Sequence, residues 1–390
     1  MIVYATSIWN HYQGPLCYEM ARQLGADHFR AIMVRPEGDV QTQRRVKLGW
    51  DVKPPKEMWI VPNPKTQDEL DAADSVWAKY IEDSEVVVLS ALHFSRRLGE
   101  AVRKRIRSGK LTFIINERFF KEKITVRDCL NPVNWYRWAK LHFKYNYKNV
   151  HYLPISHFGS DDLKWLHTCK GRMWQWAYFP EISKTLCEKP KNEKLQIGWC
   201  GRYLGWKHVE VAIKAIASLP ADVRNRCELH LVGSGVKEEE LKQLVKDLAL
   251  ESCVTFEPPK TVPEIAEFMR RLDVYLLPSD RGEGWGVVIA EAMNKGCVPI
   301  ACEEAGVTLE LVQDGVNGIV HRNGDISAVA NRIACLCRDR EQLNAMSMAA
   351  FETTLAWSAE EAVKRLIVLI KQVRSGGDSP FNSGLCRKVG

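Results

Sequence analysis

The sequence predicts an α/β protein built from two doubly wound parallel sheets, and three observations support that class. Its 390 residues exceed what one hydrophobic core usually holds, so two domains are expected. Apolar runs alternate with amphipathic stretches along the chain, which is the rhythm of β-strands connected by helices. The apolar runs are nearly continuous, which indicates strands that are buried on both faces of a parallel sheet.

In the first half, four apolar runs are predicted as strands and are separated by helical patterns. The strands are MIVYAT, RAIMV, EVVVLSAL and LTFIIN, and the helices are GPLCYEMARQL, DELDAADSVWAKYI and SRRLGEAVRKRI. Crossover helices between parallel strands cover both faces of the sheet. We therefore expect residues 1–186 to form an N-terminal Rossmann-like domain.

The second half repeats this rhythm after a hydrophilic linker, which we place at residues 187–195. Strands are predicted at QIGWC, ELHLVG, DVYLLP and CVPIA, and helices at KHVEVAIKAIASL, EEELKQLVKDLAL and PEIAEFMRRL. A second Rossmann-like domain is thus expected at residues 196–357. Ligands of such sheets lie beyond the carboxyl ends of the strands, so a central cleft faced by both domains is the expected binding region.

The C-terminal residues are expected to form one more helix and a tail. Ser358 and Glu361 have the spacing of a capping box, which starts a helix at 358–374. We expect this helix to return toward the N-terminal domain. The run SGGDSP then indicates that residues 375–390 form a flexible tail.

Composition points to an ordinary globular protein. Hydrophobic residues make up 46% of the chain and charged residues 26%, and no apolar run approaches the length of a membrane-spanning helix. No basic leader precedes the first strand, so we expect a cytoplasmic location, with the inner face of the membrane left open. The 12 cysteines lack the spacing of a zinc site and are interpreted as reduced thiols. No metal site is expected.

Positive charge is concentrated in the first half of the chain. Residues 101–150 contain 13 lysines and arginines against three acidic residues. The stretch NWYRWAKLHFKYNYKNVHY combines aromatic and basic residues, which suits an anionic membrane surface or a phosphorylated acceptor, whereas no nucleic-acid-binding module accompanies it. The alternative is a half-buried helix that packs through Trp135, Trp138 and Leu141.

A glycine-rich turn in the second half separates two glutamates. In SDRGEGWGVVIAEAMNKG, the strand before the turn ends near Pro278 and a helix follows the turn. Backbone N–H groups at a helix start favour anions and sugar oxygens, and these groups belong to Gly284, Trp285, Gly286 and Val287. Carboxylates accept hydrogen bonds from vicinal hydroxyl groups, so Glu283 and Glu291 suit two sugar rings. The alternative is a helix-capping Glu283 and a solvated Glu291.

Two cations follow the first strand of the second domain. In GRYLGWKH, Arg202 and Lys207 lie just beyond the carboxyl end of the predicted strand. Fixed cations there would stabilise the negative charge that develops on a departing diphosphate. An exposed basic loop is the alternative.

These motifs together resemble glycosyltransferase family 4, whose members are retaining enzymes with the GT-B fold. The resemblance runs from about Gln196 to Ile370 and includes the glycines Gly201 and Gly233. It implies that Arg202 and Lys207 bind the donor diphosphate, that Glu283 binds the transferred sugar and that Glu291 binds the ribose. It implies no metal and no cofactor, since the nucleotide sugar is a substrate.

The resemblance is weaker in the N-terminal domain, where it implies acceptor binding. The paired glycines of the family's first loop are replaced by Gln13 and Gly14, of which Gly14 is a donor-binding candidate. Candidates for the acceptor or the donor sugar are His11, His93, Asn116 and Glu117.

The expected reaction is transfer of a sugar, with retention of anomeric configuration, to a glycan or a lipid-linked glycan. Two other classes stay open: a sugar-nucleotide epimerase on the same fold, and a non-catalytic nucleotide-sugar-binding protein. An inverting transferase would need a general base such as His11, His93 or Glu117. The segments NERFFK and WQWAYFPE resemble those of bacterial transferases of surface-polysaccharide biosynthesis.

Overall fold

The computed structural model describes residues 1–6, 11–25, 27–33, 66–90, 95–120, 125–190 and 192–390. The chain divides into two units, residues 1–181 with 357–390 and residues 182–356. Each unit contains one parallel sheet. The expected class of two parallel-sheet α/β domains is confirmed.

The sheet of the first unit has the order β2-β1-β3-β4-β5 in the described residues. Its strands are β1 (Ile2–Thr6), β2 (Phe29–Met33), β3 (Val86–Leu89), β4 (Leu111–Asn116) and β5 (Val150–Pro154). The helices are α1 (Gly14–Leu24), α2 (Gln67–Asp83), α3 (Arg96–Arg107), α4 (Val126–Leu130), α5 (Pro132–Tyr145) and α6 (Ser156–Trp165). The strand order reverses between β1 and β3, which is where doubly wound sheets bind ligands.

Two arginines of the basic half are structural. Arg105 is 1% exposed and donates hydrogen bonds to the carbonyl groups of Ile81 and Ser84 at 2.8 and 2.6 Å. Arg118 is also buried, donates to the carbonyl of Phe120 at 2.9 Å, and lies over the ring of Phe158. Part of the positive charge in residues 101–150 therefore faces the protein interior.

The sheet of the second unit has the order β8-β7-β6-β9-β10-β11, which is the strand order of a dinucleotide-binding domain. Its strands are β6 (Leu195–Arg202), β7 (Cys227–Ser234), β8 (Val254–Glu257), β9 (Val274–Leu277), β10 (Val298–Cys302) and β11 (Ile319–His321). The helices are α7 (Val209–Ala217), α8 (Ala221–Arg224), α9 (Glu238–Asp247), α10 (Val262–Arg270), α11 (Val288–Asn294), α12 (Thr308–Leu311), α13 (Ile326–Arg338) and α14 (Arg340–Ala356). The order reverses between β6 and β9.

A last helix, α15 (Ala359–Arg374), belongs to the first unit. It packs on α1, and the side chain of Gln23 donates to the carbonyl of Glu360 at 3.1 Å. The segment predicted as a linker belongs to the second unit, where the Lys189 ammonium donates to the carbonyl of Gly296 at 2.6 Å.

The expectation of a flexible tail is wrong for the end of the chain. Lys388 pairs with Trp174 in an antiparallel bridge, and Val389 donates to the carbonyl of Met173 at 3.0 Å. Leu385 and Cys386 are fully buried. The tail is fixed because it buries apolar side chains while its backbone groups are hydrogen-bonded.

Gly201 and Gly233, both expected to contact a donor, also have a structural role. The two residues face each other in the register of β6 and β7, with φ of 156° and 154°. A Cβ atom on Gly233 would overlap the carbonyl oxygen of Gly201. Glycine at 233 therefore lets the two strand ends approach each other closely.

We predict that Gly233→Ala destabilises the protein by about 2–4 kcal/mol, because backbone strain adds to overlap with a backbone atom. The matched control is Gly315→Ala, at φ 77° with no atom within 4 Å of the added Cβ, for which we expect about 1 kcal/mol. Urea unfolding measures both. Equal losses would contradict the close-approach explanation.

Candidate active site

The candidate site lies at the carboxyl ends of β6 and β9, where the strand order reverses. After β6 the chain forms a 3₁₀ turn at Gly205–Lys207, and after β9 it enters a loop at residues 278–287. The two segments touch, since the backbone N–H of Asp280 donates to the carbonyl of Trp206 at 3.1 Å. A Cβ atom on Gly282 would lie 2.9 Å from the Cβ of Trp206, so this contact requires glycine.

Lys207 and Glu283 form an ion pair across this contact. Their side chains are 14% and 13% exposed, and the Lys207 ammonium lies 4.4 Å from the centre of the Trp206 ring. Both charges have lost most of their water, and each compensates the other. Two residues predicted to bind different parts of a donor are thus direct partners of each other.

Arg202 is the last residue of β6 and precedes Lys207 by five positions in the chain. Its side chain is exposed and forms no ion pair with any residue in the described ranges. A cation that no described residue engages is available to an anionic ligand at the same edge of the sheet.

Glu291 is on α11, close to the end of β6. Burial raises the pKa of the Cys200 thiol to about 12, and the Glu291 carboxylate also raises this pKa. The Tyr275 hydroxyl and the Lys207 ammonium act in the opposite direction. The Cys200 backbone N–H also donates to the Tyr275 hydroxyl at 3.0 Å, which joins β6 to β9. Glu291 and Lys207 therefore both lie within electrostatic range of Cys200.

The glycine-rich turn is anchored by a buried tryptophan. Trp285 is 2% exposed, and its carbonyl accepts from Val307 at 2.8 Å. Gly286 has φ 92°, and a Cβ there would lie 3.1–3.3 Å from side-chain atoms of Leu277, Glu283 and Val307. The Trp285 side chain thus packs in the interior and is not accessible to a ligand. Only the backbone of residues 284–287 suits ligand binding in this turn.

Sequence reasoning missed two residues at this site, His208 and Asp280. The His208 Nε2 atom lies 2.9 Å from the Asp280 carboxylate, and the Nδ1 atom lies 3.1 Å from the Glu210 carboxylate. The signal was available in the sequence, since His208 directly follows Lys207 and Asp280 precedes Glu283 by three residues.

In the first unit, the predicted residues His11 and Glu117 are connected through two tyrosine side chains near the carboxyl end of the sheet. The Tyr178 hydroxyl donates to the exposed Glu117 carboxylate, and the Tyr178 ring lies 4.9 Å from that of Tyr12. The Tyr12 ring is in turn 4.8 Å from that of His11. Burial, followed by the Glu117 charge, raises the pKa of Tyr178 well above its ordinary value.

The other N-terminal candidates have different surroundings. Asn116 is 8% exposed, and its amide donates to the carbonyl of Glu117 at 2.9 Å. Gly14 is buried in the first turn of α1. The preceding Gln13 accepts from the Thr6 hydroxyl at 2.9 Å and donates to Ser90. His93 lies outside the described residues.

A separate surface on α4 and α5 combines exposed apolar and basic side chains, and we call it the α4–α5 surface. Six of the 14 exposed large hydrophobic residues in the described ranges belong to it: Val126, Leu130, Val133, Trp135, Tyr136 and Phe143. The expectation that Trp135 packs inward is wrong, since it is 61% exposed. The inward face of α5 is formed by Asn134, Trp138, Leu141 and Tyr145, and Trp135 is rotated away from this stripe.

No group of three or more His, Cys, Asp and Glu side chains among the described residues is arranged to hold a metal ion. No described helix has both the length and the apolar content to cross a membrane.

We predict strong coupling between Lys207 and Glu283. Lys207→Met leaves a largely buried carboxylate unpaired and should cost about 2 kcal/mol of unfolding free energy, whereas the added change Glu283→Gln should recover most of that loss. A double-mutant cycle by urea unfolding should give a coupling of about 1–3 kcal/mol. The control pair Lys237 and Glu240, 42% and 66% exposed, should couple far more weakly, because water screens exposed charges. Additive losses for Lys207 and Glu283 would contradict this account.

Comparison with known proteins identifies the second half of the chain. The sequence profile of the family "Glycosyl transferases group 1" matches residues 187–353. D-inositol 3-phosphate glycosyltransferase of Thermomonospora curvata is 33% identical over 195 residues, which are 47% of this chain and 43% of that protein. An uncharacterized glycosyltransferase of Methanocaldococcus jannaschii is 33% identical over 137 residues, 35% of this chain and 34% of that one. The chain thus matches less than half the length of these relatives.

Solved structures resemble the chain over nearly all of its length. HepE from Anabaena, in complex with UDP, has a TM-score of 0.66 at 16% identity and covers 96% of this chain and 99% of its own. WaaG, a glycosyltransferase of lipopolysaccharide biosynthesis, has a TM-score of 0.59 at 16% identity, with 93% and 99% covered. At this identity the likeness shows the fold. Residues 187–353 are a glycosyl transferases group 1 domain, in a chain whose two parallel-sheet α/β domains have the GT-B fold.

Proposed function

We propose that the protein transfers a sugar from a nucleoside-diphosphate sugar to an acceptor, with retention of anomeric configuration. The observation that carries the proposal is the Lys207–Glu283 ion pair at the reversal point of the second sheet. It brings a cation for the diphosphate and a carboxylate for the sugar to one place. The glycosyl transferases group 1 domain spans both residues, which supports the same reaction class.

On the diphosphate side, Lys207 and Arg202 have complementary roles. Lys207 is a point charge held in a fixed position, whereas Arg202 is exposed and offers a planar fork of donors. The bond between sugar and phosphate breaks with charge developing on the leaving phosphate. Cations fixed in a partly dehydrated site stabilise that charge more than they stabilise the ground state.

On the sugar side, Glu283 exchanges partners when the donor binds. In the structure, its carboxylate accepts a hydrogen bond from the Lys207 ammonium. A donor would supply an anionic phosphate for Lys207 and hydroxyl groups for Glu283, so that each group finds a new partner in the same place. Glu291, on the neighbouring helix α11, would hold the ribose diol.

The nucleotide to test first is UDP. HepE from Anabaena has been solved with UDP and with UDP-glucose, and its fold matches nearly the whole of this chain. The proposed mechanism needs no protein nucleophile, because the leaving phosphate can accept the proton of the attacking hydroxyl on the same face. It also needs no metal, because Arg202 and Lys207 supply the positive charge.

For the acceptor, we propose the aromatic and acidic cluster at the end of the first sheet. Tyr12 and Tyr178 offer ring faces for a sugar, and Glu117 offers a carboxylate for its hydroxyl groups. This chemistry suits a glycan or a lipid-linked glycan. The α4–α5 surface suits the lipid, since Arg127, Arg137 and Lys140 accompany its exposed apolar side chains. A cytoplasmic site of action at the inner membrane face follows from this proposal.

We predict that Glu283→Gln lowers kcat/KM for transfer from a UDP-sugar by about 100-fold, because a contact strengthened in the transition state is lost. Glu291→Gln should mainly raise the donor KM, by about 10-fold, because the ribose does not react. The matched control is Glu239→Gln, 89% exposed on α9, which should keep wild-type rates. UDP release and product formation are measured against a panel of glycan and lipid-linked acceptors.

The same assay distinguishes the alternatives. NMR of the product should show the anomeric configuration of the donor, and an inverted product would refute retention. A changed sugar released without acceptor would indicate an epimerase, and UDP-sugar binding without turnover a binding protein. Excess EDTA should leave the rate unchanged, whereas loss of activity restored by magnesium would refute metal independence. Wild-type turnover by Glu283→Gln would remove Glu283 from the site.

We also predict binding to anionic vesicles through the α4–α5 surface. The protein should co-sediment at low salt with phosphatidylglycerol vesicles but not with phosphatidylcholine vesicles, and binding should weaken as salt screens the charges. The double variant Tyr136→Ser and Phe143→Ser, at positions 66% and 72% exposed, should reduce binding about 10-fold or more. Val236→Ser and Val316→Ser, exposed in the other unit, serve as the control. Absence of binding at low salt would contradict a membrane role.

A further inference from the structure

His208 connects the two loops that carry Lys207 and Glu283, although its backbone conformation is unfavourable. It lies at φ 48° and ψ 42°, the left-handed region that side chains usually avoid. Glycine or asparagine would fit this position with less strain. A histidine here needs compensating contacts, and its ring makes two.

The ring contacts require a protonated imidazole. Nδ1 lies 3.1 Å from the Glu210 carboxylate and Nε2 lies 2.9 Å from the Asp280 carboxylate. Ionised carboxylates only accept hydrogen bonds, and a neutral imidazole has a single N–H. Both contacts are therefore hydrogen bonds only when the ring carries two protons. In agreement, the hydrogen bond with Glu210, together with that to Asp280, raises the pKa of His208 to about 9 against the effect of burial.

Asp280 transmits this contact to the catalytic pair. Its backbone N–H donates to the carbonyl of Trp206 at 3.1 Å, and its own carbonyl accepts from the N–H of Glu283 at 3.0 Å. Its second carboxylate oxygen accepts from the N–H of Gly282 at 2.7 Å. Asp280 is thus fixed to the loop of Glu283, while His208 is bonded covalently to Lys207.

We propose that His208, as an imidazolium between Glu210 and Asp280, is a positioning residue that fixes Lys207 relative to Glu283 and makes transfer sensitive to alkaline pH. The proposal rests on the proposed function for its catalytic consequence. His208 itself touches no reacting group. It acts through the two loops, whose relative position sets whether ammonium and carboxylate can both engage one donor.

The direction of the pH effect follows from the charges around the ring. Glu210 faces it from α7 and Asp280 from the loop after β9, while Lys207 precedes it in the chain and Lys237, the residue before α9, interacts electrostatically with Glu210. We call the two hydrogen bonds from the His208 imidazolium to Glu210 and Asp280 the clamp. The pKa of His208 is above its ordinary value of 6.5, so the contribution of the clamp to stability is complete below pH 6.5. It is lost as the pH rises through about 9, when one carboxylate loses its donor.

The test uses His208→Asn, which tolerates the left-handed backbone but cannot become a cation. The matched control is His167→Asn, at a second left-handed histidine (φ 51°) that is exposed and forms no ion pair with a described residue. One measurement is the double-mutant coupling between Lys207→Met and Glu283→Gln, repeated in each background by urea unfolding. The other is the pH profile of transfer from a UDP-sugar. His208→Gly, which removes the backbone strain, is the second variant should His208→Asn fold poorly.

We expect His208→Asn to reduce the Lys207–Glu283 coupling, to lower kcat by about 10- to 100-fold with a smaller change in UDP affinity, and to abolish the alkaline fall in rate near pH 9. His167→Asn should change none of these. An unchanged coupling would overturn the proposal whether or not the protein is a transferase. An unchanged alkaline limb would refute the pH sensitivity. Reduced coupling without transfer from any nucleotide sugar would leave the clamp in place and refute the proposed function instead.

Discussion

The ion pair between Lys207 and Glu283 is the constraint around which the second domain is organised. Two opposite charges, each about seven-eighths removed from solvent, are stable in this position only as partners. Their partnership requires two loops to approach closely, which explains glycine at 282, where any side chain would collide with Trp206. In the proposed reaction, an anionic phosphate and a polyol would replace the two partners together, whereas either one alone would leave a buried charge without compensation.

Sheet topology is what brings these loops together. β6 and β9 are distant in sequence but adjacent in the sheet, and the reversal of strand order between them opens a space at their carboxyl ends. The hydrogen bonds between the Tyr275 hydroxyl and Cys200 join these two strands just below the site. Gly201 and Gly233 bring the end of β7 equally close to β6. Glycines that resemble ligand contacts in the sequence thus also shape the sheet edge that carries the site.

The sequence predicted the parts of the molecule that depend on local pattern. The strands at MIVYAT, RAIMV, VVVL and LTFIIN are present, and so are those predicted in the second half. β5 and β8 were missed because the polar residues His151 and Thr255 interrupt their apolar runs, and β11 was missed because it has only three residues. The tail was predicted to be flexible from its glycine and serine content, yet tertiary pairing with residues 173–175 fixes it. Lys207 and Glu283 were each predicted to bind a donor, but their pairing with each other depends on the fold and cannot be inferred from spacing.

The candidate residues of the second unit form a pattern that can be recognised in the sequence, whereas those of the first unit do not. The chemistry of the proposed ligands explains this difference. A diphosphate and a ribose demand cations, carboxylates and close backbone approach, so the proposed donor site has a recognisable pattern in Arg202, Lys207, Glu283 and Glu291. An acceptor can be held by many combinations of aromatic and polar groups, and the contact of Glu117 with Tyr178 joins positions that no sequence motif connects. Gln13 illustrates the same freedom. It stands where the family resemblance implies a glycine, and its side chain instead bridges the ends of β1 and β3 through Thr6 and Ser90. The first sheet therefore retains the doubly wound frame, while residues at its carboxyl end depart from the pattern that the resemblance implies.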